Sequence, residues 1–183
     1  MNTTLEQFDR ITAGCRSLFA KKTADYGTAW RILRPSSLTD QLYIKAKRIR
    51  SIEEKGEQRV ADSVEDDYIG LINYSILALI QLHLPADAAL ELPTEQVLQH
   101  YDEQLQRSRD LLAAKNHDYG EAWRDMRRSS ITDLILQKLL RLRQIEDNDG
   151  RTTVSEGQAA NYLDIINYAI FALIKIDEKN ASS

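Results

Sequence analysis

The chain has 183 residues, 43% of them hydrophobic and 28% charged, a balance that suits one globular unit and excludes a disordered or membrane-embedded chain. Its net charge of -4 removes the excess of Lys and Arg on which duplex nucleic-acid binding usually rests. A single cysteine, Cys15, excludes an intrachain disulfide and a thiolate metal cluster, and fits a reducing cytoplasm.

The opening stretch MNTTLEQFDR lacks the basic segment and apolar run of a secretory leader, so no export and a cytoplasmic location are expected. A first helix is predicted from Thr3, with Glu6 three residues on as in a capping box. It carries Leu5, Phe8, Ile11, Cys15 and Leu18 on one stripe and ends near Lys22. Cys15 reads as a small core residue. The loop Lys22-x-x-Asp25-Tyr26-Gly27 follows, then a turn with Trp30. A second helix is expected behind Ser36-Ser37 as N-caps, and a third, apolar on most faces, from about Asp62.

Residues 85–93, PADAALELP, separate this first repeat (1–84) from a second (94–179) and a short tail (180–183), with Pro85 and Pro93 stopping the flanking helices. The second repeat restates the first. An offset of 93 takes Asp25-Tyr26-Gly27 to Asp118-Tyr119-Gly120, and more than half of residues 22–53 are identical to residues 115–146. The matches include Lys22/Lys115, Thr39/Thr132, Asp40/Asp133, Lys45/Lys138, Arg48/Arg141, Arg50/Arg143 and Glu53/Glu146. Beyond them an offset of 94 pairs Asp62 with Glu156, Asp67 with Asn161, Gly70 with Asp164, and Asn73-Tyr74 with Asn167-Tyr168.

Two copies are too few for a solenoid. The expected fold is therefore all-α: two tandem three-helix repeats packed as one pseudo-twofold bundle, a covalent form of an isologous dimer. A further homodimer is compatible with that arrangement. YIGLINYSILALI and YLDIINYAIFALI read as too short to cross a bilayer, and no membrane partner is expected.

Asp164 and Asn167 interrupt a helix that otherwise looks buried, and a carboxylate there needs a partner. Asn161, Asp164, Asn167 and Tyr168 share roughly one stripe, and Lys138 with Arg141 on the preceding helix are the cations that would face them. Two readings stand. In one, these groups are a buried ionic network that fixes the register of a non-catalytic interaction module. In the other, they line a nucleotide site: carboxylates holding Mg²⁺, Lys and Arg meeting phosphate oxygens, and Tyr26 or Tyr119 offering a stacking face. The three histidines, His83, His100 and His117, fall at unmatched positions, which argues against a histidine metal site.

KNHDYGEAW, QKLLRL and SEGQAANYLDIINYAIFAL together resemble the Nucleotide modification associated domain 1 family, in its two-copy form. That family is in turn similar, more distantly, to MazG-like all-α nucleotide pyrophosphohydrolases, which bind Mg²⁺ and a nucleoside triphosphate through acidic helix motifs. The resemblance implies a nucleotide or modified nucleotide as ligand and Mg²⁺ as cofactor, with hydrolysis at the α-β bond. It implies Glu156, Asp164, Asp62 and Asp67 as metal ligands and catalytic acids or bases. Lys138, Arg141, Lys45, Arg48, Lys115 and Lys22 would contact phosphates. Tyr119, Asp118, Tyr26, Asp25, Asn167, Tyr168, Asn73 and Tyr74 would contact base or substrate. Each repeat departs from the pattern at one acid, Gly70 in the first and Asn161 in the second, so a working site is expected to pool Asp67 and Asp164 across the pseudo-twofold axis. MazG-like enzymes carry an acid pair where this chain has Lys-x-x-Arg.

Overall fold

The computed structural model describes residues 2–151 and 157–183, and these form six long helices with two short 3₁₀ turns. Helix α1 spans Asn2–Tyr26, α2 Pro35–Lys55, α3 Val64–His83, α4 Thr94–Tyr119, α5 Arg128–Asp147 and α6 Gln158–Ala181. The 3₁₀ turns, Ala29–Ile32 and Ala122–Asp125, carry Trp30 and Trp123. No strand occurs among the described residues.

The helix ends correct the sequence reading in several places. Helix α1 starts before Thr3 and runs a turn past Lys22, so Asp25 and Tyr26 are helical. Gly27 then leaves the helix at φ 63°, and Gly120 repeats this at φ 62°, a region that glycine enters without a β-carbon clash. Helix α2 starts at Pro35 rather than behind Ser36-Ser37, because proline is pre-organised for the first helical position and has no N–H to satisfy. Helix α5 likewise starts at Arg128, ahead of Ser129. Helix α3 has a full capping box: Ser63 Oγ accepts from the Asp66 N–H, and the Asp66 carboxylate accepts from the Ser63 N–H.

The halves share one core. Helices α3 and α6 pack against each other most extensively, and α2 packs on α5 and α3 while α5 packs on α6. Tyr68, Ile72, Ile76, Leu139, Tyr162, Ile166 and Ile170 are essentially inaccessible at the centre. Helix α6 is 24 residues long and contains an 18-residue window with a mean hydropathy of 1.3, so by length and composition it could cross a membrane, contrary to the sequence reading. Yet 78% of its apolar window is buried within the protein, which makes it the central core helix.

Pairs of contacts related by the offset of 93 reveal the pseudo-twofold. Arg143 Nη2 lies 3.1 Å from Asp40 Oδ1, and Arg50 Nη1 lies 3.4 Å from Asp133 Oδ1. Arg109 Nε donates to Asp9 at 2.7 Å while Arg16 Nε donates to Asp102 at 2.6 Å. Deeper in, Thr39 contacts Glu146 and Tyr162, and Thr132 contacts Glu53 and Tyr68. Desolvation raises the carboxyl pKa of both Glu53 and Glu146. Many of the residues identical in the two repeats are therefore identical because each repeat is the other's partner.

Candidate functional site

In the second half, the site residues close on one another. Asp164 is almost wholly buried in α6, and its carboxylate is clamped from two helices: Lys115 Nζ of α4 donates to Oδ1 at 2.8 Å, and Lys138 Nζ of α5 sits 2.9 Å from Oδ2. One turn on, Asn167 accepts from Ser108 Oγ at 2.7 Å and donates to the Ser108 carbonyl at 3.2 Å, which ties α6 to α4. Asn161 caps inward, donating to the Gly157 carbonyl at 2.8 Å. Arg141 donates to Gln144 at 3.3 Å. Tyr168 meets Phe171 edge-on, and Trp123 stacks flat on Phe171 at 4.2 Å with the Arg124 guanidinium on its other side. Glu156 lies outside the described residues.

The first half presents the same elements with one side chain removed. Gly70 stands in α3 where Asp164 stands in α6, and Lys45 folds across it. A β-carbon on Gly70 would lie 2.8 Å from Lys45 Cδ and 3.2 Å from its Nζ. With no acid there, Lys45 has no carboxylate partner among the described residues, and its ammonium sits 5.5 Å from the centre of the Tyr74 ring. Arg48 instead pairs with Asp67 and donates to the Asp62 carbonyl at 2.7 Å. Asn73 repeats the tie made by Asn167: it donates to the Cys15 carbonyl at 3.2 Å and accepts from Tyr101 Oη at 2.7 Å.

These residues line a cleft of about 760 Å³. It is lined by Lys22 and Lys45, by the aromatic Tyr26, Trp30 and Tyr74, by the apolar Phe19, Leu33 and Leu77, and by Asp62, Asp66 and Asp67. The volume lies within the range of small-molecule sites, which also combine an apolar lining with a few polar groups. The linker packs beside Gly27, one of the lining residues, through Glu91. Thr28 Oγ1 donates to the Leu90 carbonyl at 2.5 Å and accepts from the Leu92 N–H at 3.1 Å, and the Arg31 guanidinium reaches the Ala88 carbonyl at 3.0 Å.

Of the residues expected in a site, Lys22, Tyr26, Lys45, Asp62, Asp67, Asn73 and Tyr74 meet in this cleft, and Arg48 holds Asp67 at its edge. Lys115 and Lys138 meet Asp164 in the other half, and Asn167, one turn on, bonds to Ser108. Asp25 and Asp118 are exposed in the last turns of α1 and α4, and Asp118 lies beside His117 at 3.1 Å. Tyr119, like Tyr26, is 75% exposed. Asp67 and Asp164 each pair with cations of their own half, and the described residues that line the cleft all belong to the first half. Among the described residues no three His, Cys, Asp or Glu side chains are placed to hold one metal ion. The sequence reading missed Asp66 and the linker's part.

The model of the Nucleotide modification associated domain 1 family matches residues 22–82 and 115–176, covering both copies and most of the chain. The chain belongs to this family. The two matched segments begin at Lys22 and Lys115, the first of the paired lysines, and extend through the whole of the third helices' site-bearing turns. In this two-copy member of the family, the copies have diverged at Gly70 and Asp164. No curated protein and no solved structure matches the chain.

Proposed function

We propose that this protein binds a nucleotide in the cleft of its first half, with the phosphate on Lys22 and Lys45 and the base against Tyr26, Trp30 and Tyr74. The observation that carries the reading is the exchange of Asp164 for Gly70. In the second half, two lysines from different helices grip one carboxylate. In the first half, their equivalents line an open, nucleotide-sized cleft, and glycine stands where the acid that the other pair grips would be. Two ammonium groups there supply the donors and charge that a phosphate needs. The family's association with nucleotide modification agrees with this ligand class.

The geometry favours binding over hydrolysis. A magnesium-dependent pyrophosphohydrolase needs carboxylates gathered on the metal, and here Asp67 is spent on Arg48 and Asp164 on two lysines. The ionic network of the second half fits the structural reading: Asp164, Lys115 and Lys138 pin α6 to α4 and α5, leaving the ligand to the first half.

Calorimetric titration of nucleotides into the parent protein and into Lys22→Ala and Lys45→Ala tests the proposal. Loss of one charge-assisted phosphate contact is worth roughly 1.5–3 kcal/mol, so each variant should bind at least about tenfold more weakly with its melting temperature in buffer little changed. Equal binding by parent and both variants would place any ligand elsewhere.

A further inference from the structure

We infer that the ligand of the first-half cleft is a nucleoside monophosphate, taken up without a metal ion; this rests on the nucleotide reading above and narrows it. The family resemblance points to a triphosphate with Mg²⁺, and the residues of this cleft do not fit that group. Asp67 is paired with Arg48. The Asp66 carboxylate accepts from the Ser63 N–H at 3.3 Å and belongs to the cap of α3. Asp62 is exposed, and it is the Asp62 backbone carbonyl, not its carboxylate, that Arg48 and Gln58 engage, at 2.7 and 3.1 Å. The three acids of the lining therefore do not converge on one point.

Charge matching leads to the same ligand. The cleft offers two cations, Lys22 and Lys45, and a phosphate monoester carries close to two negative charges at neutral pH. A triphosphate brings further charge, and what remains around the cleft to meet it is Asp62, Asp66 and Asp67, which repel it. Those carboxylates suit the other end of a nucleotide, where they accept from sugar hydroxyls or an exocyclic amine. The second half supplies an internal comparison: the same lysine pair is satisfied there by one compact anion, the Asp164 carboxylate.

The test is calorimetry on the full chain with the 5′-monophosphates of adenosine, guanosine, cytidine and thymidine, their triphosphates, the nucleosides and inorganic phosphate, each in Mg²⁺ and again in EDTA. The expected result is that a monophosphate binds at one per chain, at least as tightly as its triphosphate and equally in EDTA, and more tightly than either its nucleoside or inorganic phosphate. A triphosphate that gains about tenfold or more in affinity from Mg²⁺, or monophosphate binding that disappears in EDTA, overturns this inference and leaves the nucleotide reading standing. Inorganic phosphate binding as tightly as the nucleotides overturns the inference because no nucleoside is then recognised. Absence of binding by every compound overturns both.

Discussion

Lys45 lies across Gly70, its Cε 2.9 Å from the point where a β-carbon would stand, whereas its counterpart Lys138 meets the carboxylate of Asp164 at 2.9 Å. One sequence position thus separates a lysine that grips a carboxylate from one that lines an open cleft within a single pseudo-symmetric chain. Burial differs as well: Asp164 is buried beneath its two lysines, while the cleft remains open to solvent.

Replacing Asp164 by Asn should weaken the fold without touching the cleft. The side chain is 8% exposed and bridges two lysines that are themselves partly solvated, at 48% and 27%, so the loss is smaller than for a fully buried pair, about 1–3 kcal/mol. Urea unfolding measures the stability. Nucleotide affinity, extrapolated to the native protein, should stay at the parent value.

Tryptophan emission should report the cleft through one residue. Trp30 lines it, and Trp123 stacks on Phe171 in the other half. A Trp123→Phe variant should show a change in emission on adding nucleotide, and a Trp30→Phe variant should show none. The reverse pattern would move the ligand to the second half.

Glu53 and Glu146 make stability depend on pH. Desolvation raises both carboxyl pKa values above the ordinary 4.5, so the folded state holds protons that the unfolded chain releases. Their contribution is therefore fully present below pH 4.5 and is lost as pH rises through the raised folded values. The double variant Glu53→Gln, Glu146→Gln should match the parent in melting temperature near pH 4 and move above it progressively toward neutral pH. A constant difference across that range would show that neither carboxyl titrates abnormally.

Much of this was legible in the sequence, for identifiable reasons. The offset of 93 and the long apolar third helices fixed the class and the two copies, and the mismatch at Gly70 already marked Lys45 as a lysine without its acid. Lys138 faces Asp164, as its place on the preceding helix leads one to expect. What the sequence concealed was pairing in space. Thr39, Asp40, Arg50 and Glu53 recur because they face their own counterparts across the pseudo-twofold, and identity between repeats cannot distinguish that role from a shared ligand. Lys115 looked like a phosphate contact, yet it closes on Asp164 from α4. The matching pairs Asp9/Asp102 and Arg16/Arg109 lie at the same offset outside the strongly repeated stretch, and following that offset further toward the N-terminus would have found them.

Restoring the missing acid tests the central claim most directly. Gly70→Asp places a carboxylate beside Lys45 in the cleft that Lys22 also lines, and the nearest atoms a new β-carbon meets belong to the flexible end of Lys45, which can move aside. The measurement is calorimetric titration of the nucleotide that binds the parent protein best into Gly70→Asp, with its unfolding curve recorded alongside. The account predicts a stably folded variant whose nucleotide binding falls by about a hundredfold or disappears, since the new carboxylate occupies Lys45 and repels phosphate. Undiminished nucleotide binding by a folded Gly70→Asp protein would contradict it.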